Sequence, residues 1–172
     1  MALPAPTSVQ GGMQRGLVIH KLLEEVLSSE TSDDVAALNA RAIRLIAELG
    51  EAEHHDAGIG LSAQELAQTV YNTLALPQIA ALRPSLLPEF HVYGGDGVDL
   101  ALAGIADAIG FGPDGAPEVI VDWKSDVAPS AAMLAHYRDQ VGSYMVMTGA
   151  TRGLIVLVTS GTVIEIVAPA GV

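Results

Sequence analysis

Apolar residues recur at three- and four-residue spacing through the first half of the chain and give way to strand-like runs after Leu86. The pattern predicts a helix from about Gly16 to Ser29, with Leu17, Leu22, Leu23, Val26 and Leu27 as its apolar stripe. Ser32-Asp33-Asp34 caps a second helix that runs to Leu49 and stops at Gly50. Ser62-x-x-Glu65 reads as a capping box opening a third helix through Leu74, with Leu66 and Val70 facing inward. A short helical turn follows Pro77 as far as Arg83. From Leu86 the period becomes that of strands. Glu89–Tyr93 leads into a turn at Gly94–Gly97, and the run Val98–Phe111 reads as a long strand. A strand ending at Lys124 follows, then a helix capped by Ser130 and ending near Thr148. Gly153–Thr159 is continuously apolar, as expected of a strand buried on both faces, and Thr162–Val167 reads as an edge strand.

Composition narrows this picture. A chain of 172 residues suits one domain with a substantial core, built mainly from Ala, Val, Leu and Ile because only 4% of residues are aromatic. Residues 1–14, with Pro, Gly and Ser and no periodicity, read as a flexible lead-in. No apolar run approaches the ~18 residues of a membrane span, and the N-terminus has no charged-then-apolar leader. A cytoplasmic protein with no membrane partner is the simplest expectation. The absence of cysteine removes disulfides, thiolate zinc sites and any iron–sulfur cluster held by this chain. A net charge of −12 argues against a free-standing, tight DNA binder, since phosphates are neutralised by clustered Lys and Arg.

The chemistry is concentrated between Gly104 and Tyr144. Asp107 and Asp122 are placed symmetrically about Asp114-Gly115, a strong hairpin signal. In that register the two aspartates face each other with Cα atoms about 4.5–5.5 Å apart. Alternation then puts Lys124 on the same face as Asp122. Two carboxylates this close repel each other unless a cation lies between them, and a hard divalent ion such as Mg²⁺ or Mn²⁺ prefers such oxygen ligands. The same spacing also fits a solvated Asp–Asp–Lys cluster on an edge hairpin. On the following helix Tyr137, Gln140 and Tyr144 share one face. His54-His55-Asp56, in a glycine-rich polar loop, reads as a solvated connector, and His91 as a strand surface residue.

Gly104-Ile-Ala-Asp107, Asp122-Trp123-Lys124-Ser125-Asp126 and Tyr137-x-x-Gln140-x-x-x-Tyr144 together resemble the ordered motifs of the PD-(D/E)xK nuclease superfamily. They look most like those of the RecB/AddA-type nuclease domain at the C-terminus of bacterial helicase–nucleases. Arg15-Gly16-Leu-Val-Ile-His20-Lys-Leu-Leu-Glu24 is similar to a further signature of that type. The resemblance implies an α/β restriction-endonuclease-like fold, an αβββαβ core with additional N-terminal helices. Residues 15–172 would then form one nuclease domain, with 31–83 a helical cap, 86–167 the sheet core and 131–148 the motif helix.

It also implies metal-dependent hydrolysis of DNA, of exodeoxyribonuclease type, coupled to a helicase motor in double-strand break repair and recombination. Mg²⁺, with Mn²⁺ as a substitute, would be held by Asp107, Asp122, His20 and the backbone carbonyl of Trp123. Lys124 would orient the attacking water, and Gln140 and Tyr144 would position water and the strand backbone. Glu89 matches an acid on the preceding strand, or is a strand-end glutamate without a role. Asp126 either organises the loop after the lysine or caps a turn. Tyr137 supports the motif helix, and His20 by itself also fits a helix histidine satisfied by a neighbour.

No Gly-x-x-x-x-Gly-Lys-[Ser/Thr] loop occurs, so the chain brings no motor of its own. Two other readings stand beside the active nuclease. One is a module of the same fold that guides a DNA strand without cutting it, and the other is an unrelated acidic interaction domain.

Overall fold

The computed structural model describes residues 8–95, 99 and 101–168. The first seven residues of the expected lead-in, the second half of the turn expected at Gly94–Gly97, residues 98 and 100 of the following strand run, and the Pro–Gly tail lie outside the described residues. Helices α1 (Met13–Leu27), α2 (Val35–Glu48), α3 (Ala63–Leu74) and α4 (Pro77–Leu82) come first, and a 3₁₀ turn at Arg83–Ser85 follows. Strands β1 (Leu86–Gly94), β2 (Ala101–Phe111) and β3 (Pro117–Lys124) come next, then α5 (Ala131–Thr148), β4 (Arg152–Leu157) and β5 (Thr162–Val167). The strands form one sheet in sequence order, antiparallel except between β3 and β4, which run parallel on either side of the α5 crossover. The chain is therefore mixed α/β with the restriction-endonuclease-like order expected from the sequence.

Side-chain alternation divides the core into two layers. Val119, Val121 and Trp123 of β3, with Leu154 and Val156 of β4, pack against α1–α4. Ile120, Ile155 and Leu157 point the other way, onto Val141, Tyr144 and Met145 of α5. Helix starts follow their caps. The Asp34 carboxylate accepts from Ala37 N–H at 2.8 Å, and the Ser130 hydroxyl from Met133 N–H at 3.2 Å. Only half of the expected capping box forms. Ser62 accepts from Glu65 N–H, but the Glu65 carboxylate turns to Arg15 instead of back to the cap.

The α1 stripe also differs from expectation. The helix begins at Met13, its buried face is Val18, Ile19, Leu22, Leu23 and Val26, and Leu17 is exposed. Arg15 supplies the reason, because it claims the inward position one turn before Ile19. Only 2% exposed, it grips Glu65 with two nitrogens at 2.7 and 3.2 Å. Its Nη1 donates to the Ser125 carbonyl at 2.8 Å and to the Thr159 hydroxyl at 2.9 Å. One guanidinium thus ties α1 and α3 to the loop after β3 and the turn after β4. Gly16 makes the approach possible, since a Cβ there would lie 2.7 Å from Ser125 Oγ.

The β2–β3 hairpin keeps the expected register only in part. Ala108↔Val121, Ile109↔Ile120 and Gly110↔Val119 fit a turn centred on Asp114-Gly115, and Gly115 has φ 78°. A bulge between Gly110 and Phe111 then shifts the last pair to Phe111↔Pro117. At the other end the ladder stops at Ala108↔Val121, so Asp107 and Asp122 are not a paired couple on a flat sheet.

Replacing the buried hub is expected to be costly. Arg15→Met leaves Glu65 and the Ser125 carbonyl without their donor, and we expect a loss of about 3 kcal/mol in urea unfolding. A shift of the midpoint worth less than about 1 kcal/mol would show that this hub does not hold the helical layer to the sheet.

Candidate active site

The site forms where β2 and β3 part. Ala106 of β2 faces α5 while Ala108 faces the helical layer, so the alternation skips a beat at Asp107. The partner strand does the same: Glu89 has φ 53°, Leu86 before it faces the helices, and Val92 after it faces α5. Pro88↔Ala108 and Phe90↔Ala106 bracket the break. A side chain with positive φ in a strand is uncommon and re-aims its neighbours. Here it frees Asp107 from the ladder. Its Oδ2 accepts from Trp123 N–H at 2.7 Å, a donor on the neighbouring strand. The two aspartates therefore meet in a fork between strands, where the sequence suggested a flat, directly opposed pair.

Asp122 is 4% exposed and points to the α5 side, following Ile120. Lys124 reaches back to it, with Nζ 2.9 Å from Oδ2. That ion pair is the contact Oδ2 has in place of a well-directed hydrogen bond among the described residues. Three groups fix the lysine head. Besides Asp122, it donates to Gln140 Oε1 at 3.1 Å and lies 4.6 Å from the centre of the Tyr137 ring. The Tyr137 hydroxyl in turn donates to Asp126 Oδ2 at 2.6 Å, which ties the loop after β3 to α5. Asp126 therefore anchors the loop through a tyrosine and does not cap a turn. Tyr144 is buried, and its hydroxyl occupies the space of a side chain at Gly104: a Cβ there would be 2.2 Å away. The first glycine of the Gly-x-x-Asp motif is thus the seat of Tyr144. The tyrosine face of α5 turns inward against the sheet, with Gln140 and the Tyr137 hydroxyl left at the site.

From the helical side, His20 brings Nδ1 to 3.3 Å from Asp107 Oδ1. It stands just over one turn beyond the Arg15–Gly16 contact that docks α1. Glu89 is exposed and lies within electrostatic reach of Asp107, His20 and Glu24. The structure thus brings Asp122, Lys124, Gln140, Tyr137 and Asp126 into one chain of direct contacts and His20 and Asp107 into a second, with the charges of Asp107 and Asp122 felt between them. Tyr144 stands behind the first chain on Gly104, Trp123 contributes its N–H, and Glu89 lies at the rim without a direct bond to the group. A cavity of about 750 Å³ opens beside His20, Lys21, Glu24, Glu89 and Ser125, walled by Met13, Leu17 and Leu49. His54 packs against Gly60 away from this group, as expected of a connector.

The electrostatics follow from burial and like charge. Burial, then the neighbouring Asp107 carboxylate, push Asp122 up to about 6 despite Lys124. For His20, burial opposes the charged form, but the bond to Asp107 and the charges of Asp107 and Asp122 outweigh it and raise its pKa. Burial, then the charges of Glu24 and Asp107, raise Glu89 as well. Tyr137 is pushed up to about 12 by burial and by its bond to Asp126.

A deeply buried carboxylate beside a second carboxylate, with a single lysine to offset their charge, fits a hard divalent cation. No three or more His, Asp or Glu side chains among the described residues group as a ready-made cage. A partial set suits Mg²⁺, which keeps waters and takes substrate oxygens as well as one or two carboxylates.

Arg15, to which the motif resemblance assigns no role, is the main residue whose part emerges only from the structure. A lone arginine on the inward side of an apolar helix was the available signal.

Asp122 also gives the site a pH signature in chelator. Folded Asp122 holds its proton up to about pH 6, whereas an unfolded aspartate releases it near pH ~3.9. Between these values the folded state binds more protons, so stability falls as pH rises, by roughly 3 kcal/mol at most. The His20–Asp107 contribution runs the same way, full below the unfolded value of about 6.5 and lost as pH rises through the raised folded value. We expect Asp122→Asn to raise the Tm at pH 8 and to leave it nearly unchanged at pH 4. An equal change at both values would contradict this account.

Comparison with known proteins gives a family match and similar solved structures. A sequence profile described as the PD-(D/E)XK nuclease superfamily matches residues 2–162. Among solved structures, one titled "Crystal structure of SSO0001" is similar at 20% identity, over 93% of this chain and 80% of that one. The TM-score is 0.40. No curated protein matches. With nearly the whole chain inside the family match, and its motif residues gathered at one fork in the sheet, the chain belongs to the PD-(D/E)XK nuclease superfamily.

Proposed function

We propose that the chain hydrolyses phosphodiester bonds in DNA with Mg²⁺, as the exonuclease part of a RecB/AddA-like helicase–nuclease acting in double-strand break repair and recombination. The observation that carries the hydrolytic reading is the buried Asp122 carboxylate beside Asp107, with the Lys124 ammonium held 2.9 Å from its Oδ2. The helicase-linked part rests on the motif resemblance and on charge. Arg15, Lys21, Arg41, Arg83, Lys124 and Arg152 all stand in ion pairs. Only Arg44 and Arg138, among the described residues, lack such a partner. A chain with this balance needs another body to hold duplex DNA. No helix among the described residues is long and apolar enough to cross a membrane.

Asp107 and Asp122 would hold the cation, with His20 and the Trp123 carbonyl completing its protein ligands. When bound, the cation supplies positive charge that polarises the scissile phosphate and lowers the pKa of the attacking water. Lys124 directs its ammonium toward the charge that builds on the phosphate oxygens, an electrostatic role that preorganisation makes effective. Gln140 and the Tyr137 ring hold that ammonium in place before substrate arrives. Tyr144, seated on Gly104, keeps α5 at the distance that lets Gln140 reach the lysine.

The test is degradation of linear single- and double-stranded DNA by the purified chain with Mg²⁺ or Mn²⁺, beside EDTA. Lys124→Ala is expected to lose cleavage by at least about a hundredfold while keeping the thermal stabilisation by Mg²⁺. Asp122→Ala is expected to lose both. Cleavage that survives Lys124→Ala would remove the lysine from the mechanism, and no Mg²⁺ effect on cleavage or Tm would remove the nuclease reading.

A further inference from the structure

Beyond the break at Glu89 and Asp107, β1 and β2 continue as a two-stranded arm that, among the described residues, pairs with no further strand. β3 meets β2 only from Ala108 onward. One face of the arm is covered: Val92 and Ala106 are buried against α5, and Gly104 receives Tyr144. The other face carries the cross-strand pairs His91↔Ile105 and Tyr93↔Leu102. All four are exposed, Tyr93 and Leu102 by more than half. A bulge between Val92 and Tyr93 sets Leu102 opposite the tyrosine, where straight pairing would bring Ala103. Ile105 stands two residues before Asp107 on β2 and His91 two after Glu89 on β1, so the four side chains form a ledge that borders the rim of the site.

We infer that this ledge is the track of the substrate strand, with His91 and Tyr93 as stacking platforms for unpaired bases and Leu102 and Ile105 as the apolar floor. This rests on the nuclease reading for its direction, since the strand's phosphate sits at the fork. Three observations select this occupant. The ledge adjoins the rim of the site at His91 and Ile105, so a strand whose phosphate sits at the fork can run onto it. Residues 90–94 and 101–106 contain no carboxylate, in a protein of net charge −12. The surface offers rings and aliphatics but no cation, which suits base faces and gives a paired duplex nothing to hold. Only a single strand presents bases that can lie on it.

The experiment separates the ledge from the chemistry. In the full chain carrying Lys124→Ala, binding of a fluorescein-labelled single strand of about 12 nucleotides is titrated with Mg²⁺ present. Adding Tyr93→Ala with Leu102→Ala is expected to weaken binding about tenfold or more, with Tm and circular dichroism unchanged because both side chains are exposed. Binding of the matched duplex is expected to be weaker and indifferent to these changes. Unchanged single-strand affinity, or no strand binding by the parent, overturns the ledge. So does self-association of the chain that the two substitutions abolish without affecting strand binding, which would assign the face to a second copy. Hydrolysis of bis(4-nitrophenyl) phosphate, too small to touch the ledge, is measured in parallel with otherwise wild-type protein. If it depends on Asp122 while the ledge variants bind normally, the nuclease reading stands and the track falls. If it is absent while the ledge variants lose the strand, the track stands and the nuclease reading falls.

Discussion

Repulsion between Asp107 and Asp122 is the constraint around which the site is built. A carboxylate as buried as Asp122, facing a second acid, favours its protonated form unless positive charge is brought to it. The protein brings one lysine, and holds it with an amide and an aromatic ring in place of a further acid. Lys124 therefore lowers the cost of ionising Asp122 without removing it. A site left in that condition has unspent affinity for a cation, and ligands that repel each other when empty bind a divalent ion more readily than a relaxed pair does.

Holding such a pair requires rigid surroundings, and these come from two directions. On one side, Arg15 fixes α1 to the loop after Lys124, so His20 and the lysine strand cannot drift apart. On the other, Tyr137 and Asp126 close the same loop onto α5, and Tyr144 settles on Gly104 beneath it. The loop between β3 and α5 is thus clamped at Ser125 from the helical layer and at Asp126 from the opposite layer. The two layers of the core meet at consecutive residues, just after the lysine. That is why residues scattered from Arg15 to Tyr144 in the sequence act on one spot.

Local rules made the element order legible. Asp34, Ser62 and Ser130 marked helix starts, and the apolar run after Gly153 marked a strand buried on both faces. The motif residues were legible as well, because alternation and helical spacing bring them near one another whatever the details. What stayed hidden depended on contacts distant in sequence. Leu17 resembled a core residue until Arg15, through Glu65 fifty residues away, set the rotation of α1. The fork between β2 and β3 was hidden for a different reason. It arises from a positive φ at Glu89, which no residue preference announces, and hairpin symmetry alone argued for a flat pair. The capping box failed for a third reason: a buried guanidinium competes for the Glu65 carboxylate and wins it from a backbone N–H.

The same accounting explains the acidity of the chain. Cations that another nucleic-acid enzyme would spread over its surface are used internally here: Arg15 joins the layers, Arg41 joins α1 to α2 through Glu25, and Lys124 steadies the site. Little charge remains to attract a phosphate backbone over distance, and the carboxylates around the cavity repel one. Recognition is then left to short-range contacts, in which an unpaired base against a tyrosine ring costs no ion pair already in use. A surface of this kind favours a strand delivered to it over one captured from solution, and it is poorly matched to intact duplex. The acidic balance that argues against a free-standing DNA binder is what a site fed by another body can tolerate.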